Sequence, residues 1–147
     1  MKLNIALIGG GRIAPKHIEA IKLNKKECNL TAICEKNPSK AKKLQKLKNV
    51  KIYNNIDKMF SDEKIDIVSI LTESGNHFKH IKKVIKYKKN IIVEKPLCLT
   101  RKHALSLQKL SKLKKINIFV VKQNRFNKAI ISLKKAISKK RFGKIFS

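Results

Sequence analysis

The sequence predicts an α/β fold, a doubly wound parallel sheet with helices on both faces, and three observations carry that reading. Six short apolar runs alternate with segments whose apolar residues recur at helical spacing. The triplet Gly9-Gly10-Gly11 separates the first run from the first helical segment. The run 65–71 (Ile-Asp-Ile-Val-Ser-Ile-Leu) is nearly continuous in apolar, β-branched residues, as a parallel strand covered on both faces requires. Right-handed β-α-β crossovers join such strands into one sheet.

Each element follows from its residues. Residues 3–8 form a short apolar strand. A helix over about 12–24 has Ile13, His17, Ile18 and Ile21 at helical spacing. Residues 30–34 are the second strand. Asn37-Pro38-Ser39 opens a helix that ends near Leu47, with proline in its first turn. Residues 50–53 form a third strand and 56–60 a short helical segment. After the fourth strand, 65–71, the polar loop Thr72-Glu73-Ser74-Gly75 leads into a helix over 76–88. Residues 91–93 are the fifth strand, closed by Glu94-Lys95-Pro96. Thr100 is placed to cap a helix over 101–114, with Leu105, Leu107, Leu110 and Leu113 available to the core. Residues 116–121 form a sixth strand and 129–140 a last helix, which Gly143 stops. Residues 144–147 read as the start of another strand.

Composition bounds the function. A chain of 147 residues, 42 % of them hydrophobic, can bury a core without disulfides or metal. Cys28, Cys34 and Cys98 are odd in number and show neither C-x-x-C nor metal-ligand spacing, so no metal site is expected. Cys34 reads as a small core residue, and packing outweighs redox work at Cys98. No stretch approaches the roughly 18 apolar residues of a membrane span, and no secretory cleavage pattern follows Met1. A cytoplasmic protein without a membrane partner is expected. The net charge of +28 invites a nucleic-acid reading. Yet 33 of the 37 basic residues are lysine, spread over every helical segment, and aromatic residues are scarce. That pattern suits solvated lysine better than a specific nucleic-acid site, although weak, salt-sensitive sticking to polyanions follows from charge alone.

The glycine loop carries the chemistry. Gly9-x-Gly11-x-x-Ala14 follows a strand and opens a helix. Gly9 allows the tight turn, Gly11 lets the backbone approach a pyrophosphate, and Ala14 permits close helix–strand packing. Free N–H groups at the helix start attract the phosphates. Glu35 ends the second strand, where a carboxylate can bind adenosine ribose hydroxyls and would repel a 2′-phosphate. The expected cofactor is therefore NAD rather than NADP, a preference that neighbouring Lys36 softens. Arg12 either reaches the phosphates or is a solvated first-turn residue. Ile13, next to it in the turn into the helix, is placed beside the cofactor.

Four segments together resemble one family. Ala6-Leu7-Ile8-Gly9-Gly10-Gly11-Arg12-Ile13-Ala14, Glu35 with Asn37-Pro38-Ser39-Lys40-Ala41, and Glu94-Lys95-Pro96 are similar to the glucose–fructose oxidoreductase/inositol dehydrogenase (Gfo/Idh/MocA) family. The resemblance covers essentially the whole chain, as that family's N-terminal Rossmann-type domain. Val121-Lys122-Gln123-Asn124-Arg125-Phe126-Asn127, Arg141-Phe142-Gly143-Lys144-Ile145 and Thr72-Glu73-Ser74-Gly75-Asn76-His77 further resemble the UDP-N-acetyl-2-amino-2-deoxyglucuronate (UDP-GlcNAcA) 3-dehydrogenases of surface-polysaccharide synthesis. Those enzymes oxidise the sugar's C3 hydroxyl to a ketone and pass hydride to NAD.

The resemblance implies a role for each matching residue. Lys95 becomes the catalytic or substrate-orienting lysine, and Glu94 helps to position the nicotinamide ribose. Thr72, Ser74 and His77 line the cofactor cleft, although a histidine at a helix start can equally cap it. Gln123 faces the cofactor, and Asn124 and Arg125 the substrate. Arg125 can bind a carboxylate or phosphate in a bidentate manner, or pair locally. His17, His80 and His103 read as structural or exposed. Family members continue into an antiparallel-sheet domain that carries most substrate contacts. Residues 1–143 are therefore expected to be the NAD(P)-binding domain and 144–147 the start of a truncated α+β substrate domain. A homo-oligomer is expected once that domain is supplied; the alternatives are a cofactor-binding remnant or module without catalysis, or another dehydrogenase of the family acting on a free polyol or sugar.

Overall fold

The computed structural model describes residues 1–144. Six strands form one parallel sheet: β1 (Leu3–Ile8), β2 (Cys28–Cys34), β3 (Lys51–Tyr53), β4 (Ile67–Ile70), β5 (Asn90–Val93) and β6 (Ile118–Val120). Their order across the sheet is β3-β2-β1-β4-β5-β6. The chain leaves β1 toward β2 and β3, then crosses back to lay β4 against the other side of β1. Ligands of open α/β sheets bind at such a reversal, outside the carboxyl ends of the strands.

Six helices cover the sheet or flank it: α1 (Ala14–Leu23), α2 (Pro38–Leu44), α3 (Ile56–Asp62), α4 (His77–Val84), α5 (Arg101–Lys114) and α6 (Lys128–Ser138). Alternation along β1 divides the core. Ile5 and Leu7 pack with Ala14, Ile18 and Ile21 of α1 and with half-buried Leu44 and Leu47. Ala6 and Ile8 face the other way, into a larger cluster with Met59 of α3, Ile81 and Val84 of α4 and Leu107 of α5. Both faces of the central strands are thus dry, and Leu7, Val68, Ile70 and Ile91 have no exposed surface. Each such aliphatic side chain contributes about 1.5–3 kcal/mol by leaving water.

Helix starts follow local chemistry. Asn37 accepts a hydrogen bond from the Lys40 N–H at 3.1 Å with Pro38 as the first helical residue. Asn55 accepts from the Asp57 and Lys58 N–H groups at 2.8 and 3.1 Å. Thr100 caps α5 through the His103 N–H at 3.2 Å.

Some boundaries and packing expectations change. The helix expected over 76–88 ends at Val84 and tightens into a 3₁₀ turn over Ile85–Tyr87, closed by Lys88 in the left-handed region. Of the four leucines of α5, only Leu107 is buried and Leu110 packs against the core; Leu105 and Leu113 are exposed. A leucine-rich helix offers several stripes, and the sheet covers one. Gly143 does not stop α6. Lys140 takes the left-handed conformation, and the Arg141 N–H closes back on the Ala136 carbonyl at 3.1 Å. Lys144 lies in a bend, and the rest of the strand expected at 144–147 lies outside the described residues. No helix among the described residues is long and apolar enough to cross a membrane.

Candidate functional site

The parallel sheet brings the carboxyl ends of β1, β2, β4, β5 and β6 to one edge. The glycine loop, Glu35, Thr72, the Glu94–Lys95 turn and Gln123 all follow those strands, so one edge carries the chemistry read from the sequence.

Each glycine of the loop has its own constraint. Gly9 has φ +99°, and a Cβ there would lie 3.1 Å from the Leu71 and Thr72 backbone. Only glycine fits both demands. Gly10 is pinned differently, since its Cβ would come within 2.4 Å of Leu44 Cδ1 and 3.2 Å of Glu35 Oε2. A Cβ on Gly11 would meet nothing within 4 Å. Folding therefore leaves open space at Gly11, the position expected to let a pyrophosphate approach the backbone. Ala14 is fully buried, as close packing of α1 on the sheet requires.

Glu35 organises this end. Its Oε2 accepts the Gly10 N–H at 2.7 Å and its Oε1 the Asn37 N–H at 2.8 Å. The carboxylate ties the glycine loop to the start of α2, and each oxygen keeps a lone pair for a ligand hydroxyl.

Beside it opens a cavity of about 470 Å³, lined by Gly9, Gly11, Cys34, Glu35, Thr72 and His80 among others. That volume lies within the range of small-molecule sites, roughly 300–1,000 Å³. Lys36, Lys40, Lys79 and Lys83 line it against Glu35 and Glu73. The local excess of cations suits a dianionic pyrophosphate and gives part of the overall charge a specific place.

His80 accepts or donates at the Thr72 hydroxyl, 2.9 Å from its Nδ1. Burial, reinforced by Lys36 and Lys79, lowers its pKa below the usual 6.5, so a neutral imidazole faces the cavity. Burial raises the Cys34 thiol to about 11, which keeps it an unreactive lining group. At the cavity's outer wall, Lys83 and Lys86 hold Asp57 at 2.6 and 2.8 Å, and Tyr87 donates to the same carboxylate. Those three bonds depress the Asp57 carboxyl. Burial opposes ionisation of Glu63, but Lys51 at 2.8 Å and the Tyr53 hydroxyl at 2.6 Å outweigh it and hold that carboxyl low.

Glu94 and Lys95 lie at the carboxyl end of β5, with the Glu94 carboxylate largely covered and Lys95 exposed. Glu94 Oε2 accepts the Lys95 N–H at 3.2 Å. Among the described residues no carboxylate lies within salt-bridge distance of the Lys95 ammonium. The Lys95–Pro96 peptide is cis.

Arg12 and Ile13 are exposed at the start of α1, and Arg12 makes no ion pair among the described residues. Gln123, Asn124 and Arg125 form an exposed 3₁₀ turn after β6, outside the cavity lining. The local ion pair considered for Arg125 is absent among the described residues. Ser74 is half-buried and does not line the cavity.

His77 requires a correction. It is 1 % exposed and does not line the cleft. Its Nδ1 lies 2.7 Å from the Pro96 carbonyl and its Nε2 2.8 Å from the Thr72 carbonyl, bridging the loops after β4 and β5 from beneath. Position one of α4 faces inward, so the imidazole lies between two backbone carbonyls, its N–H donating to one of them, instead of facing a ligand.

His17 and His80 are the polar residues that sequence reasoning passed over. His17 Nε2 lies 3.0 Å from Glu94 Oε1, and its Nδ1 3.3 Å from the Ser69 hydroxyl. The available signal was its place in the inward stripe of α1, between Ala14 and Ile21, where a histidine needs a buried partner.

Residues 3–122 match the family model GFO_IDH_MocA, described as "Oxidoreductase family, NAD-binding Rossmann fold". The solved WlbA dehydrogenase of Bordetella pertussis, in complex with NADH and UDP-GlcNAcA, superposes with a TM-score of 0.94 at 29 % identity. The match covers 99 % of this chain and 45 % of that one. The inositol 2-dehydrogenase of Rhizobium meliloti is 26 % identical over 99 % of this chain and 43 % of its own length. The uncharacterized oxidoreductase YhhX of Escherichia coli is 25 % identical over 99 % of this chain and 42 % of its own. The chain thus spans less than half the length of the relatives it matches.

Proposed function

Because the chain belongs to the Gfo/Idh/MocA oxidoreductase family, as its NAD-binding Rossmann domain, we propose that it supplies the cofactor half of an NAD-dependent dehydrogenase acting on a nucleotide-linked sugar acid. The reaction is oxidation of the C3 hydroxyl of a UDP-linked N-acetylglucosaminuronate, a step of surface-polysaccharide synthesis. The observation that carries the cofactor reading is the open space at Gly11 joined, through one cavity, to the Glu35 carboxylate. The substrate reading rests on the 123–127 segment and on likeness to a WlbA dehydrogenase that binds UDP-GlcNAcA.

The residues divide the work by position. Backbone N–H groups at the start of α1 and the cavity lysines hold pyrophosphate. Glu35 takes the adenosine ribose, and Thr72 lines the wall beside it. Bound NAD supplies the hydride acceptor. Lys95 donates a hydrogen bond to the reacting hydroxyl and stabilises alkoxide charge as the hydroxyl proton passes to a base of the second domain and the C3 hydride to NAD. Glu94 orients the nicotinamide ribose. Gln123 reaches toward the cofactor, and Asn124 and Arg125 toward the substrate, Arg125 pairing with an acid or phosphate.

Substrate contacts then come from a second, antiparallel-sheet domain. Such a domain would also cover α6, whose Ile130, Ile131, Leu133 and Ile137 are each more than 40 % exposed. A cytoplasmic site of action accords with a nucleotide-sugar substrate.

Calorimetric titration of the chain with NAD and NADP tests the first step. Saturable binding with NAD the tighter ligand is expected, and absence of NAD binding removes the reading. A second substrate class, free polyols, is favoured by the inositol 2-dehydrogenase similarity. Assays of a chain completed with a substrate domain, on UDP-sugar acids against inositols, decide between the two.

A further inference from the structure

Lys95 lies in a turn held from both sides. On one side, His77 meets the Pro96 carbonyl at 2.7 Å. On the other, Glu94 Oε2 accepts the Lys95 N–H while its Oε1 meets His17 Nε2 at 3.0 Å. His17 stands 77 residues earlier in the chain, on the helix that the glycine loop opens. Its other nitrogen faces Ser69, which is 2 % exposed and has a hydroxyl free to donate. The Glu94 carboxylate only accepts, so the Nε2–H donates to it, and the rotatable Ser69 O–H then donates to Nδ1. Among the described residues, no buried side-chain polar atom in this series of contacts lacks a hydrogen-bond partner.

We propose that His17 is a positioning residue for Lys95: acting through Glu94, it fixes the turn on the α1 side as His77 fixes it on the α4 side. The assignment of Lys95 itself rests on the function proposed above. The contact also joins the phosphate end of the site to the strand end two places along the sheet, because α1 carries both the glycine loop and His17. A Glu94 released from His17 can swing toward solvent, and the Lys95 N–H loses its acceptor.

The test compares His17→Phe with His17→Gln in the 147-residue chain. Phenylalanine keeps the ring and removes both nitrogens; glutamine restores a donor that reaches the carboxylate. Amide hydrogen exchange reads the turn without any ligand. In His17→Phe the Lys95 N–H is expected to exchange at least tenfold faster. The Glu94 N–H, bonded to the Ile70 carbonyl at 3.0 Å, serves as the control and keeps its rate. His17→Gln returns Lys95 to within about threefold of the parent. NADH and ADP affinities supply the second readout, since ADP lacks the nicotinamide and its ribose. His17→Phe weakens NADH at least fivefold and ADP less than twofold. Unchanged Lys95 exchange, or equal weakening of both nucleotides, overturns the proposal. If the parent chain binds neither nucleotide, the dinucleotide reading fails, and the exchange result still decides the role of His17.

Discussion

Replacing Gly9 and Gly11 separately by alanine divides folding from binding within three residues. At Gly9 the added methyl meets the backbone of Leu71 and Thr72 at 3.1 Å, and φ is +99°. Non-glycine residues forced into such backbone regions cost about 1–3 kcal/mol. For a domain of this size the melting temperature should fall by roughly 3–10 °C. At Gly11 a methyl meets nothing within 4 Å, and φ is not positive. The stability of Gly11→Ala should therefore match the parent or exceed it by about 0.4–1 kcal/mol, from the smaller entropy of the unfolded chain. In the proposed site, that same methyl stands where the pyrophosphate touches backbone. NAD affinity should drop at least tenfold, about 1.4 kcal/mol. Thermal melts and calorimetric titration of the two variants supply the numbers. The reasoning is refuted if Gly11→Ala binds NAD as the parent does, or if it melts as early as Gly9→Ala.

Three further expectations follow from the site. Glu35→Ser removes two charge-assisted acceptors at 2.7 and 2.8 Å, so NAD should weaken more than tenfold and the NAD:NADP affinity ratio should fall; an unchanged ratio by calorimetry would take Glu35 out of the site. Lys95→Met, in an enzyme completed with a substrate domain, should lose about 10²–10³ in kcat while NAD affinity stays within about twofold, and normal turnover would reject the role of Lys95. Acid lability should come in two stages. The fold disfavours protonated His80, so the unfolded chain takes that proton first and stability declines as pH drops below about 6.5. The depressed carboxyls of Asp57 and Glu63 contribute fully above the ordinary carboxylate range and lose their contribution as pH falls through their lowered values. Thermal melts of His80→Gln should lack the upper stage and keep the lower one.

Local features of the sequence carried over well into three dimensions. The alternation of apolar runs became six parallel strands, and Thr100 and Asn37 cap the helices that they precede. The glycine spacing and Glu35 lie close together because β1 and β2 are adjacent parallel strands whose ends must meet. Features set by tertiary placement were less visible. The His17–Glu94 contact joins residues 77 positions apart, and no local pattern announces it. His77 reads as a cleft residue in a polar loop, yet the inward face of α4 buries it. Leu105 and Leu113 stand two and six residues from Leu107, off the one stripe of α5 that meets the sheet. Gln123, Asn124 and Arg125 are legible as a motif, and they fold as an exposed turn after β6.

Amide chemical-shift mapping during an NADH titration bears most directly on where the dinucleotide lies. Saturating shifts are expected at Gly11, Asn37, Thr72 and Lys95, tracing one line along the carboxyl edge of the sheet, while an outer groove beside α1, which Pro15, Lys22 and Leu47 line, stays silent. Shifts confined to that outer groove, or scattered over lysine-rich helices and abolished by moderate salt, would contradict a built cofactor site.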